Sequence, residues 1–432
     1  MVQAGSGTDM VGNHVPGLFF LCRLFWLRRR LCVWRGRFFL LERNGVSSLS
    51  GLWAQSYGAR PGNVHLYRNG ENPWLQEFNV SLRAQYQAAA VSPSGSGTYP
   101  GSHGRTEEWR RLRLGWNARV LRDLKVANIW NMGGVDSLGY YKGGRWNNHK
   151  MTRGNLYEAH LEYSLPGAVV GAGKVLPVIL AENRISSSKY KLPEISAVEN
   201  MLVSDSSFGV WSYNDEKKEP LGYYAGLWSN TDERSRGTWG TWESVNMSLG
   251  LSARADGLLL KEGRLYCDWI YNWGDMKDRP YDGNYTGTGA RNVLALYYYG
   301  KQGAFELMAQ AVWASRLREY SSGGVIAPSG LAGLTVMPSL NLTGHVQAVA
   351  RYQLAFGPDA VKPNKRYASL AERGGNRVDC YQAVAAGLNF FVYRDDPARL
   401  KIMTMAEYGH SRGGRSAGFT GWTFICGAYT NF

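Results

Sequence analysis

Over residues 78–88 the chain alternates residue by residue. Phe78, Val80, Leu82, Ala84, Tyr86 and Ala88 are apolar, and Asn79, Ser81, Arg83, Gln85 and Gln87 fall between them. A period of two puts the two sets on opposite faces of a β-strand. Over residues 111–120, Leu112, Leu114, Trp116, Ala118 and Val120 alternate with Arg111, Arg113, Gly115, Asn117 and Arg119, so three arginines share one face. Val245, Met247, Leu249, Leu251 and Ala253 repeat the pattern, as do Leu342, Val346, Ala348, Ala350 and Tyr352. Residues 419–432 alternate up to Phe432. A last segment of this kind leaves an unpaired edge unless the sheet closes, which predicts that the last strand pairs with the first.

A soluble sandwich also alternates, and strand length separates it from a barrel in lipid. Sandwich strands run about 5–6 residues, whereas a strand crossing a membrane needs roughly 9–11. The runs here are of the longer kind. They place strands near residues 77–88, 109–121, 123–132, 155–164, 168–176, 207–213, 222–229, 244–254, 264–274, 290–299, 304–314, 340–354, 380–393, 399–410 and 419–432. The apolar stretch at Leu331, Leu334 and Val336 supplies one more. Aromatic clusters near strand ends, such as Tyr297, Tyr298 and Tyr299 or Trp269, Tyr271 and Trp273, suit interfacial girdles. The predicted fold is all-β, a transmembrane antiparallel up-and-down barrel of about sixteen strands, an even number as in bacterial single-chain barrels. Short turns such as residues 394–398 alternate with long loops such as 91–105 and 275–289, as expected of a barrel with two unlike sides.

Composition changes this picture little. The 432 residues are 44% hydrophobic and 13% aromatic, with 53 glycines. The mean hydropathy of −0.32 hides the lipid face, because alternation averages it away. No run of about 20 apolar residues exists to form a spanning helix. Residues 18–41 are aromatic and apolar but carry Arg23, Arg28, Arg29, Arg30, Arg35 and Arg37. Each arginine at a helix centre costs about 2.5–3.5 kcal/mol on insertion. Residues 1–54 are therefore read as a leader or upstream extension outside the barrel, 55–72 as a linker and 73–432 as the barrel. A patch for nucleic acid or anionic lipid is the alternative reading of the basic run, and the preferred reading involves no nucleic acid.

Cys22, Cys32, Cys267, Cys380 and Cys426 are dispersed and odd in number, which fits neither a disulfide framework nor a zinc site. The seven histidines lack metal-ligand spacing, and no cofactor is expected. Residues 414–418 match G-x-S-x-G, but no histidine follows Ser416 and no strand-to-helix turn is predicted there, so the chain is read as no enzyme.

Residues 387–411 resemble the penultimate hairpin of the phosphate-selective porin O and P family. Residues 173–203 resemble that family's strand and inward-folding loop, and Ala350, Arg351, Tyr352 and Gln353 a recurrent strand. The resemblance covers roughly residues 73–432. It implies a bacterial outer-membrane porin, trimeric, in outer-membrane lipid, with a long loop constricting the pore. This chain has Glu199 followed by Asn200 where the family commonly has an acid followed by arginine, which puts phosphate preference in question.

An arginine on the lipid face costs about 2–4 kcal/mol at mid-membrane, so Arg111, Arg113 and Arg119 are expected to line the lumen. Arg83, Arg254 and Arg351, with Lys174, Lys189 and Lys191 in or beside the loop, complete the expected pore-lining and anion-binding set. The expected function is passive diffusion of small anionic or hydrophilic solutes. Against it stand a non-transporting adhesin or glycan-binding β protein, and a plainer role for the arginines as wall partners of Glu158, Glu162, Asp268 and Glu306.

Overall fold

The computed structural model describes residues 64–94, 104–133, 141–142, 145–146, 155–202, 206–216, 218–229, 245–273, 290–321, 324–361, 378–414 and 419–432. The expected leader, the start of the linker, most of the predicted loops at 91–105 and 275–289, and Ser416 lie outside them.

The strands follow the chain in order. β1 is Val64–Arg68, β2 Leu75–Pro93, β3 Gly104–Val120 and β4 Leu124–Gly133, and the short β5 Tyr141–Lys142 and β6 Arg145–Trp146 pair only with each other. Then come β7 Asn155–Leu165, β8 Ala168–Val175, β9 Ser207–Tyr213, β10 Leu221–Ser229, β11 Val245–Arg254, β12 Glu262–Trp273 and β13 Asn292–Gln302. β14 Phe305–Ser321, β15 Gly324–Asn341, β16 Val346–Val361, β17 Val378–Phe391, β18 Leu400–Arg412 and β19 Gly421–Asn431 complete them. β2–β4 and β7–β19 pair antiparallel with their neighbours, and β19 pairs with β2 from Gly421↔Pro93 to Asn431↔Arg83. The result is a closed antiparallel barrel of sixteen strands. β15 is the strand signalled by Leu331, Leu334 and Val336, and it takes Leu340 and Asn341, which the pattern had assigned to the following strand.

At the seam the ring is completed by two pieces of chain. Phe432 exchanges backbone hydrogen bonds with Leu82 at 2.7 and 2.8 Å, and β1 continues the same row along β2, from Val64↔Val80 to Arg68↔Glu77. The linker expected over residues 55–72 thus contains a strand. Closure pairs the backbone groups that an open edge would leave bare, which hydrocarbon does not tolerate.

The burial pattern is inverted relative to a water-soluble protein. On β2, Gln85 and Gln87 are buried while Leu82 is exposed; on β3, Arg113 is buried while Leu114 is 45% exposed, beside exposed Leu82 and Trp130 on the flanking strands. Large apolar side chains outside and polar ones inside are the signature of a wall whose outer solvent is lipid. Cys267 and Cys426 share the outer, apolar faces of β12 and β19. No described helix is long and apolar enough to cross a membrane.

Candidate functional site

The segment between β8 and β9 does not stay at the rim. It passes through two short helices, α1 Ala181–Arg184 and α2 Ala197–Leu202, and packs against inward faces of the barrel. Gly333 and Gly387 lie where it approaches the wall, since a Cβ on Gly333 would collide with Val198 and one on Gly387 would crowd Leu192.

Three groups of contacts fix this loop. At its start Leu180, in the left-handed region at φ 70°, donates its N–H to Asp268 of β12 at 2.8 Å. Arg184 donates to the same carboxylate at 2.8 Å, reaches Glu216 at 3.5 Å, and lies over the rings of Tyr266 and Tyr297 at 4.8 and 5.7 Å. Burial opposes its charge, yet Asp268, then Tyr297 and Glu216, hold the guanidinium well above its ordinary value. In the middle, Lys191 donates to Glu306 and to Ser339, each at 2.7 Å, and Lys401 of β18 donates to the Tyr190 carbonyl at 2.6 Å. Burial pushes the Tyr190 phenol up to about 12, against the pull of Arg111. Toward its end, Glu194 accepts from Arg110 at 2.9 Å and from Gln87 at 3.1 Å.

One wall facing the loop is strongly basic. Arg83 stands opposite Arg113 across β2 and β3, and Gln85 opposite Arg111. Arg83 donates to Ser187 at 2.6 Å and to Ser186 at 3.1 Å. Arg111 donates to Gln85 at 2.7 Å and lies 5.7 Å from the Tyr190 ring. Arg113 donates to Asn131 at 2.8 Å and lies 3.5 Å from the Tyr157 ring. Arg119 shares their face nearer the turn to β4, in register with Glu77 and Lys125.

Other expected residues are placed differently. Lys174 shares the face of Val170 and Ala172, pairs in register with Ala159 and Phe208, and donates to the Leu156 carbonyl at 2.9 Å; it belongs to the outer face, a correction to its expected lumenal place. Arg351 does face inward, but it is only 1% exposed and is held by Glu182, Glu407 and the Glu194 carbonyl, so it joins loop to wall and has no surface to offer a solute. Arg254 is exposed at the end of β11, 4.0 Å from Asp256, away from the loop. Lys189 is exposed on the loop, and Lys191 is bound to Glu306. Of the four acids considered as partners for the β3 arginines, Glu162 pairs with Lys125 at 2.7 Å, Asp268 with Arg184 and Glu306 with Lys191. Glu199 lies buried in α2, and Asn200 beside it is exposed.

Arg110, Arg184, Glu194 and Lys401 were missed by the sequence pattern. For Arg110 the signal was there. Trp109 and Leu112 are both outward, an odd spacing that strict alternation forbids, and a β-bulge between them turns Arg110 and Arg111 both inward.

No family model matches the chain, and no curated protein does. Among solved structures it is similar to OmpF of Salmonella typhi in complex with daunomycin, at 11% identity over 85% of this chain and 100% of that one, with a TM-score of 0.57. It is also similar to an anion-selective porin from Comamonas acidovorans, at 9% identity over 82% and 99% with a TM-score of 0.53. A loop-deletion mutant of OmpT, an outer membrane protein of Vibrio cholerae, matches at 10% identity over 82% and 99% with a TM-score of 0.51. The expectation that the chain is no enzyme is corrected here. A barrel shared with proteins such as OmpT at 10% identity decides neither for nor against an activity, and that expectation is withdrawn. The likeness is to outer-membrane porins in general and does not single out the phosphate-selective family. A closed sixteen-strand barrel, apolar outside and polar within, of the architecture found in outer-membrane porins, is a protein of the bacterial outer membrane.

Proposed function

We propose that the barrel is a water-filled channel for passive diffusion of small hydrophilic solutes, and that it prefers anions, phosphate or one of similar charge. The observation carrying this reading is the basic wall of Arg83, Arg111 and Arg113 on β2 and β3, of which Arg83 and Arg111 touch the inward loop and Arg113 stands opposite Arg83. At an effective dielectric of about 20, one such cation attracts a monovalent anion at 4 Å by about 4 kcal/mol before desolvation is subtracted. Rows of arginine and lysine along a pore are a physical basis of anion selection. One barrel of similar fold, the porin from Comamonas acidovorans, is anion-selective, which agrees with this reading. A homotrimer is proposed with it, on the resemblance to the phosphate-selective porins.

Reversal potentials in planar bilayers under a salt gradient test the preference. Replacing Arg111, Arg113 and Arg119 together by glutamine is expected to lower the anion-to-cation permeability ratio about tenfold, equivalent to about 1.4 kcal/mol. An unchanged reversal potential would remove the selectivity assignment. Absence of stepwise conductance from the folded wild-type protein would remove the channel itself.

A further inference from the structure

The inward loop is closed on itself by two carboxylic acids. Glu182, in α1, accepts the backbone N–H of Ser196 at 2.7 Å, just before α2. Glu199, in α2, accepts the backbone N–H of Asn183 at 2.8 Å, within α1. Each helix thereby supplies the acid that satisfies an N–H at the start of the other. Glu182 is buried and Glu199 is fully so, at 0% exposure.

The charges around this pair do not balance in favour of two carboxylates. Arg351 of β16 lies 3.3 Å from Glu182 but also 2.9 Å from Glu407 of β18, so one guanidinium serves two acids. The side-chain donor to Glu199 is Gln310 of β14, a neutral amide at 3.4 Å. Tyr299 of β13, whose hydroxyl donates to the Ala181 carbonyl, and Tyr190 of the loop are the other titratable groups acting on the pair. Among the described residues no cation pairs with Glu199, and a buried carboxyl so placed beside a second acid keeps its proton. Burial first and Glu182 second hold Glu199 well above the ordinary carboxylic range.

We propose that Glu182 and Glu199 are a proton-dependent clasp: while Glu199 is protonated the loop stays folded against the barrel wall, and loss of that proton sets two carboxylates against each other and lets α1 and α2 part. The closed loop then binds one more proton than the open one. The clasp is at full strength below the ordinary glutamate value of about 4.3, and it weakens as pH rises from there. Weakening stops once pH passes the raised value of the closed state, and within that window each pH unit disfavours closure by up to tenfold.

Two measurements on the full chain test the clasp, and only the second depends on the channel reading. Infrared difference spectra are expected to show the C=O band of a protonated carboxylic acid in the folded protein at neutral pH, absent in Glu199→Gln. Glu182→Gln keeps Glu199 but removes its acidic neighbour, so the band should vanish at a lower pH than in wild type. In bilayers, open-state conductance of the wild type should rise with pH above the ordinary carboxyl range, while Glu199→Gln stays flat. The proposal is overturned by the absence of the band, by a band that survives in Glu199→Gln, or by an equal pH slope in that variant. A band behaving as expected in a protein that passes no current would sink the channel and leave the clasp standing.

Discussion

Asp268→Ala is expected to free the start of the inward loop and destabilise the folded barrel by about 3–5 kcal/mol, the range for removing one partner of a buried ion pair. The reason is the number of donors that this carboxylate serves: the Leu180 N–H, the Arg184 guanidinium and the Tyr297 hydroxyl at 2.7 Å. Its loss leaves Arg184 buried beside Glu216 and two ring faces. Single-channel conductance should rise and become noisy, and the temperature at which the folded form converts to the unfolded one on a gel should fall. Arg184→Ala removes the other partner but keeps the receptor, with Asp268, Glu216, Tyr266 and Tyr297 in place. Guanidinium ion at sub-denaturing concentration should therefore restore low conductance in Arg184→Ala and do nothing for Asp268→Ala. Equal behaviour of the two variants toward guanidinium would show that this cluster does not anchor the loop.

Leu114→Arg is the second large effect. Leu114 lies on the outer face of β3, flanked by Leu82 of β2 and Trp130 of β4. An arginine there, against lipid, should cost up to roughly 2–4 kcal/mol of folding into a bilayer, the full figure being that of a mid-membrane position. Arg113→Leu, one residue away on the opposite face, tests the converse. It adds no charge to the lipid side, and its main expected consequence lies in ion preference, with Asn131 and the Tyr157 ring left without their cation. Urea titration of folding into phospholipid vesicles measures both. Comparable losses for the two variants would remove the distinction between faces on which the barrel rests.

The barrel was legible because its physics has a period. Wherever one face meets lipid and the other meets water, the alternation in residues 78–88 or 111–120 has to be written into the sequence, and each such run became a strand. Limits appeared where the period slips or stops. The bulge beside Arg110 shifts the phase by one residue, so reading outward from Arg111 followed the face of Arg113 and Arg119 and passed over Arg110. The phase also sufficed to exclude Lys174, which follows Val170 and Ala172 on one face, but its nearness to the loop was given more weight than its parity. Inside the loop there is no period. Arg184 pairs with Asp268 and Glu194 with Arg110, each 84 residues away in sequence, and nothing local to the two loop residues distinguishes them from ordinary surface charges, while Lys401 of β18 meets a loop carbonyl 211 residues away. Arg351 shows the same limit: its inward direction could be read, but its capture by Glu182 and Glu407 could not.

The central claim is that the apolar side of each long strand touches lipid while the charged side faces water. A nitroxide scan along residues 109–119 of β3 in vesicles, reading relaxation by oxygen and by a water-soluble nickel complex, tests it most directly. Oxygen should dominate at 109, 112, 114 and 116 and the nickel complex at 111, 113, 115 and 117, with 110 joining 111 on the watery side where the bulge breaks the alternation. Uniform exposure to the nickel complex along the strand, or a strict alternation that leaves 110 in lipid, would contradict the account.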